Sequence, residues 1–203
     1  LPFVLLTYQV LEYFYGFHAI YKNSYFGFWS PYIFLPTSFS QFSASFVVLL
    51  NAVGLNYLVN KNHFLERNTH LVSLIYIVFM SLFSVSYSMN GILISHAFLI
   101  IMLNELLTLN HKEDLRSTIF NCFLCLGLST TFTPFFLYFT PIFWVPFFLT
   151  KPLSFREILI GLIAFSIPFL YYFIMVYVLG DDYFLYLNNE VFGTMRTDFW
   201  FIM

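Results

Sequence analysis

The side chains that could carry out chemistry are few in this sequence, and most of them lie in apolar stretches. Residues 94–116, ISHAFLIIMLNELLTLNHKEDLR, contain His96, Asn104 and Glu105. An ionisable group inside a bilayer is costly and marks a functional site by default. His96 and Glu105 are nine positions apart, about 900° around a helix, which puts them on opposite faces. Each lies within about 6–8 Å of one end of its stretch, so we interpret both as structural groups and not as a proton relay.

Glu12 is the better candidate for chemistry, and the adjacent pair Asp181 and Asp182 gives a weaker signal. Glu12 lies well inside the first apolar stretch, where a carboxylate must face a polar cavity, be protonated or hydrogen-bond a partner helix. Paired carboxylates at a membrane surface can hold a divalent cation or act as a base toward a lipid-linked substrate. Two adjacent aspartates are also typical of an ordinary solvated loop. With His18, these residues define one alternative, a site on the outer side of a membrane.

Cys122 and Cys125 form the sequence's one Cys-x-x-Cys pair. Two thiols without further cysteines or clustered histidines cannot complete a zinc site, and no βαβ pattern around them favours a redox motif. We therefore predict buried apolar thiols, no metal and no cofactor.

The amino-acid composition indicates whether lipid or water surrounds these side chains. Of 203 residues, 60% are hydrophobic and 9% are charged, and the mean hydropathy is +0.81. An ordinary soluble domain carries about 25% charged residues, so this composition predicts a chain that lies in lipid. The net charge of −2, without a basic tract, argues against nucleic-acid binding.

Apolar runs long enough for transmembrane helices, about 20 residues each, recur along the chain. We predict an all-α, polytopic membrane domain over residues 1–203, with residues 21–41 along the outer interface. An eighth run begins near Phe199, and apolar sequence continues to both ends, so we expect a part of a longer protein. The predicted spans are about seven: 1–20, 42–59, 71–87, 91–109, 118–138, 139–150 and 157–179.

The basic residues predict the orientation of these spans. Six of the eight Lys and Arg residues fall in alternate loops, and only Lys22 and Arg196 fall on the other side. By the positive-inside rule the loops 60–70, 110–117 and 150–157 are cytoplasmic. The six cytoplasmic anchors are Lys61, Arg67, Lys112, Arg116, Lys151 and Arg156.

Prolines make the segment at 139–150 ambiguous. It is short, and residues 133–152 hold four prolines, which remove backbone donors and kink helices. A re-entrant hairpin is the alternative to a full crossing, but it would move Lys151 and Arg156 to the outer side. The charge pattern favours the full crossing.

Several small or polar residues are typical of helix packing. Small side chains let backbones approach, and asparagine hydrogen-bonds across helices; on this basis we assign packing roles to Asn51, Gly54, Asn104 and Gly127. The run 129–133 is expected to back-bond to its own helix before Pro134. Ser154 and Glu157 fit a capping box at the start of the last long helix.

The region from about Leu55 to Gly180 resembles a known family. "LNYLVNKN", "IFNCFLCLGLSTTF" and "KPLSFREILIGLIAFSIPF" are similar to segments of domain-of-unknown-function family 6427, uncharacterised multi-pass inner-membrane proteins of Bacteroidota. That family carries an R-P-x-x-W-R-E-W stretch followed by G-F-x-x-P-F. Here Lys replaces the usual Arg, and Phe and Ile replace the Trp residues. The resemblance implies a bacterial inner membrane and transfers no catalytic residue.

Taken together, these patterns favour a non-enzymatic inner-membrane subunit, scaffold or assembly factor of a larger cell-envelope complex. Its partners would be membrane lipids and other integral membrane or envelope proteins. The alternative is a membrane enzyme or carrier acting on a polyprenyl- or other lipid-linked substrate on the extracytoplasmic side. A small transporter would need charges facing each other across helices at depth, and only Glu12 lies deep enough.

Overall fold

The computed structural model describes residues 26–29, 37–64, 69–82, 88–108, 115–150 and 154–179. Every regular element in this part of the chain is helical, which confirms the predicted all-α class. Short 3-10 turns cover Gly27–Trp29 and Pro134–Phe139. The α-helices are α1 (Thr37–Lys61), α2 (Leu71–Leu82), α3 (Gly91–Leu107), α4 (Leu115–Phe132), α5 (Thr140–Thr150) and α6 (Phe155–Leu179).

The predicted span at 118–138 is wrong at its end. Helix α4 ends at Phe132, Thr133 takes an extended conformation (φ −140°, ψ 95°), and Pro134 opens a 3-10 turn. Proline has no N–H to donate and disfavours the α conformation of the residue before it, so the helix ends there. The predicted span at 1–20 lies outside the described residues.

Two of the described helices are long and apolar enough to cross a membrane, judged by length and composition. They are Phe42–Lys61 and Phe155–Val178, and only 33% and 22% of their apolar stretches is buried. The core helix of a soluble protein would be mostly buried, whereas these helices direct large apolar side chains outward. Shorter apolar helices occupy Leu71–Ser81, Gly91–Leu107 and Pro134–Leu149.

The chain forms two compact units. The first consists of residues 1–25 and 35–100, and the second of residues 26–34 and 101–203. The prediction of one membrane domain over the whole chain stays a prediction.

The first unit is built on the small-residue face of α1. Ala44, Val48 and Ala52 are one helical turn apart and pack against Ile77 of α2 and Leu93 of α3. At the far end of α1, Asn60 Nδ2 donates to the Thr69 carbonyl (3.2 Å), and the Thr69 N–H donates back to Asn60 Oδ1 (3.3 Å). These two bonds join the end of α1 to the start of α2, so the two helices run antiparallel.

The second unit is built on a close crossing of α4 and α6. A Cβ atom at Gly127 would lie 2.6 Å from the Phe165 carbonyl oxygen and 3.1 Å from Pro168 Cγ. One turn earlier, a Cβ atom at Gly161 would lie 3.1 Å from Phe123 Cδ2. Position 123 therefore meets 161 and 127 meets 165, so α4 and α6 run parallel.

Parallel helices require a return segment between them, and residues 134–150 provide it. The six-residue 3-10 turn and the eleven-residue α5 together span about 28 Å, close to the length of about 27 Å that 18 residues give α4. Trp144 and Phe147 of α5 pack on Phe123, with ring centroids 4.1 Å and 5.8 Å away. The return segment is thus part of the core of the second unit.

Candidate functional site

A chain of polar side chains links the three helices of the first unit. Asn51 of α1 is buried, and its Nδ2 donates to the Leu93 carbonyl of α3 at 3.0 Å. Tyr76 of α2 places its hydroxyl 3.2 Å from His96 Nδ1 of α3. Asn51, Tyr76 and His96, here called the polar chain, are the best candidate for a functional site among the described residues.

Helix capping and a hydrogen bond to α1 hold the start of α3 in place. The Asn90 side chain is buried, and its Oδ1 accepts from the Leu93 N–H (3.2 Å), the N-cap arrangement that satisfies a free donor of the first turn. The Met89 N–H donates to Ser40 Oγ of α1 at 2.8 Å. The start of α3 is therefore bonded to α1 at two levels, Ser40 and Asn51.

The hydrogen bond between Tyr76 and His96 can run in either direction. His96 Nδ1 accepts from the tyrosine hydroxyl in one tautomer of the neutral ring and donates to it in the other.

Polar groups are also buried in α4 of the second unit. Thr130 Oγ1 donates to the Gly127 carbonyl (2.7 Å) and Thr131 Oγ1 to the Leu128 carbonyl (2.8 Å). This is the back-bonding expected before Pro134, and it satisfies both hydroxyls without a partner helix.

The residues assigned to packing lie inside the two units. Asn51 and Gly54 belong to the first unit, where a Cβ atom at Gly54 would make ordinary contact with Ile100 (3.4 Å). Gly127 lies at the crossing of α4 and α6 in the second unit. Asn104 is half-buried in α3. Asn51 and Gly54 therefore contact other residues of the same chain, Leu93 and Ile100 of α3.

Of the predicted basic anchors, the structure describes three, and all three are exposed. Lys61 is the last residue of α1, with its ammonium 5.8 Å from the centre of the Tyr57 ring. Arg116 and Arg156 lie in the first turns of α4 and α6. Arg67, Lys112 and Lys151 lie outside the described residues.

Of the two hydrogen bonds of the predicted capping box at α6, the one that the glutamate side chain accepts is present. Glu157 Oε2 accepts from the Ser154 N–H at 2.7 Å, and Glu157 occupies the third helical position. A carboxylate there also interacts favourably with the positive end of the helix dipole.

The residues of the enzyme alternative, Glu12, His18, Asp181 and Asp182, lie outside the described residues. Neither cysteine forms a disulfide, and Cys122 is buried while Cys125 is half-buried. Over the described ranges, no three His, Cys, Asp or Glu side chains are grouped closely enough to hold a metal ion.

Sequence reasoning missed Tyr76. Its 20-residue separation from His96 gives no periodic signal, and one tyrosine among 15 does not stand out in an aromatic-rich chain. The one available signal is its position in the middle of an otherwise apolar stretch, where a hydroxyl needs a partner. Only the packing of α2 on α3 shows which partner that is.

No protein-family model matches the chain, and no curated protein or solved structure shows significant similarity to it. The resemblance to family 6427 therefore stays a prediction.

Proposed function

We propose that this chain is a multi-pass protein of the bacterial inner membrane that acts as a non-enzymatic subunit, scaffold or assembly factor of a larger envelope complex. In this proposal its helices cross the bilayer about seven times, with loops 60–70, 110–117 and 150–157 in the cytoplasm. Its partners are membrane lipids and other integral membrane proteins.

One observation carries the proposal: the apolar outer face of α1 combined with the polar interior of its unit. The exposed side chains recur at helical spacing of three or four residues and form one stripe, each at least 53% exposed. The opposite face holds the buried Asn51. An apolar exterior around hydrogen-bonded polar groups is the arrangement that lipid or a neighbouring helix requires. The members of this α1 stripe are Phe39, Phe42, Phe46, Leu50, Val53 and Tyr57.

The length of the α1 stripe supports a transmembrane position. Positions 39 to 57 cover about 27 Å along a helix, close to the hydrocarbon thickness of about 30 Å. Lys61, one turn beyond Tyr57, is the first charged residue after it in α1. A lysine over an aromatic ring at a helix end is typical of a membrane–water interface.

The geometry of the second unit supports the proposed topology. Because α4 and α6 run parallel, the exposed Arg116 and Arg156 at their starts lie at the same end of the unit. Two arginines at one end agree with the positive-inside rule. The return segment at 134–150 is long enough to reach that end, which favours a full crossing over a re-entrant hairpin.

The turn Gly27–Trp29 supports the placement of residues 21–41 on the outer side. Trp29 packs on Phe132 (ring centroids 6.2 Å apart) and on Tyr172 (5.8 Å). These residues belong to the C-terminal parts of α4 and α6, which lie opposite the two arginines. A turn held at this end follows the topology that the loop charges predict.

The experiment that tests the proposal is purification of the tagged full-length protein from its native membrane in a mild detergent, followed by quantitative mass spectrometry. A stoichiometric set of integral or envelope proteins is the expected result. A solitary protein that carries a polyprenyl or glycolipid would contradict it and favour the enzyme alternative.

Two double variants make the test specific to a surface. Phe42→Leu with Phe46→Leu removes aromatic rings from the α1 stripe and keeps it apolar, while Phe173→Leu with Tyr177→Leu does the same on the exposed face of α6. We expect one pair to lower partner recovery with unchanged amounts in the membrane. Full recovery by both pairs would exclude these rings as partner contacts.

A further inference from the structure

We propose that the turn Gly27–Trp29 is a latch that holds the end of α6, residues 169–178, beside the end of α4. When the latch is released, this end segment swings at a hinge formed by Ser166 and Pro168. The inference concerns a movement inside the second unit, so it does not depend on which partner the protein has.

Two neighbouring features weaken the hydrogen-bond ladder of α6 at the hinge. Pro168 lies inside the helix and has no N–H, so it cannot donate to the Ala164 carbonyl as an ordinary residue would. The Ser166 hydroxyl donates to the Leu162 carbonyl at 2.8 Å, a back-bond that often bends a helix. Sharp bends in helices are found at such positions.

The end segment has few contacts that hold it in place. Helix α4 ends at Phe132, and its register on α6, with Gly127 beside Phe165, leaves most of the end segment beyond its reach. Within the end segment, only Tyr172 and Val176 are buried, at 3% and 7% exposure. A segment with so few buried apolar contacts belongs to the least stable part of a fold.

The latch supplies contacts that α4 does not reach. Gly27 has a φ of 60° and packs on the last carbonyls of α4, where a Cβ atom would lie 2.6 Å from the Thr131 oxygen. This close approach places Phe28 and Trp29 beside the end of α4. Both rings contact Tyr172, with centroids 5.3 Å and 5.8 Å away. The latch therefore covers one of the two buried side chains of the end segment.

The position of the latch in the sequence shows how it could be pulled. The residues on either side, 1–25 and 35–100, belong to the first unit, whereas the latch belongs to the second. A movement within the first unit is therefore transmitted to the latch through the chain. In this way the latch couples the end segment of α6 to the first unit.

The test measures the distance between spin labels on the full chain in phosphatidylcholine nanodiscs, with both native cysteines replaced. The labels are attached to Ser117→Cys in α4 and Tyr177→Cys in the end segment, both exposed positions. Position 117 lies beside 155 in the register of the two helices, so the labels are about 33 Å apart along the axes. We expect one narrow distance distribution in the wild type. Gly27→Ala, whose methyl group meets two backbone carbonyls, should give a broader distribution with a second maximum.

Two controls separate release of the latch from general loosening. Gly54→Ala adds the same methyl group in the first unit, where it makes ordinary contact, and should keep the wild-type distribution. A second label pair, Phe135→Cys with Phe155→Cys, uses exposed positions outside the end segment and should keep its distance in Gly27→Ala. Broadening of this second pair would show that the whole unit loosens and would overturn the proposal.

Two further variants test the latch and the hinge separately. Phe28→Ala keeps the backbone of the latch and removes one ring from Tyr172, so it should broaden the distribution less than Gly27→Ala does. Adding Pro168→Ala to Gly27→Ala restores a donor for the Ala164 carbonyl and should narrow the distribution again. Wild-type distributions in Gly27→Ala and Phe28→Ala would overturn the latch. A distribution that Pro168→Ala leaves broad would overturn the hinge.

Discussion

Replacing Gly127 with alanine tests the close crossing of α4 and α6. The new Cβ would lie 2.6 Å from the Phe165 carbonyl oxygen, whereas ordinary contact begins near 3.4 Å. The two helices would have to separate by about 0.8 Å, a gap that forfeits a quarter to a half of the dispersion attraction of the atoms it parts. Inserting a methyl group into a packed contact typically costs about 1–3 kcal/mol.

Gly54→Ala is the matched control because it adds the same methyl group to a helix interior. There the nearest atom outside its own helix is Ile100 Cγ2 at 3.4 Å, the end of a flexible side chain. Both variants gain about 0.8–1.0 kcal/mol of helix propensity, so this gain cancels in their difference. Gly127→Ala should therefore be less stable than Gly54→Ala by about 1–3 kcal/mol.

The assay is reversible unfolding of the full chain in mixed micelles with increasing dodecyl sulfate, followed by circular dichroism of all helices. If the two variants have equal free energies of unfolding, the close crossing of α4 and α6 does not exist in the membrane. A stabilised Gly127→Ala would lead to the same conclusion.

Three further predictions use other contacts. Asn51→Leu should lower the free energy of unfolding by about 0.6–1.7 kcal/mol, the range that interhelical hydrogen bonds contribute in membranes. Asn56→Leu should be neutral or stabilising, because the buried Oδ1 of Asn56 has no hydrogen-bond partner. Equal losses of unfolding free energy in the two variants would contradict this prediction. Glu157→Ala should speed hydrogen exchange in the first turn of α6, and Glu157→Gln should do so much less, since glutamine also serves in a capping box. Identical exchange rates in both variants would show that the Glu157 side chain does not stabilise this turn. Ser117→Cys, at an exposed position and with both native cysteines replaced, should react with an impermeant maleimide only after the cells are opened, and labelling of intact cells would invert the proposed topology.

Much of the secondary structure could be predicted because its causes are local. Helix α1 covers the predicted span 42–59 and extends to Thr37–Lys61, and α6 covers 157–179 and begins at Phe155. Hydropathy and capping residues act within a few turns of the chain, so a sequence shows them directly. The end of α4 was missed because the apolar run continues past Pro134, and a hydropathy pattern does not register a missing backbone donor.

The candidate site could be predicted only in part. Asn51 and His96 could be recognised because polar groups are rare in apolar segments, but their positions in the sequence do not indicate which residues they contact. The acidic residues of the enzyme alternative, Glu12, Asp181 and Asp182, lie outside the described residues, so their role stays a prediction. Tyr76, which hydrogen-bonds His96, became recognisable only from the contact between α2 and α3.

By itself the sequence determined the all-helical class and most helix positions, and it predicted an apolar environment, because these depend on composition and on interactions within one segment. Tertiary structure alone decided which polar groups meet, that α4 and α6 run parallel, and that Gly127 rather than Gly54 marks a crossing too close for a methyl group. Such properties depend on distances between residues tens of positions apart. Those distances result from the packing of all helices in a unit, which no single segment specifies.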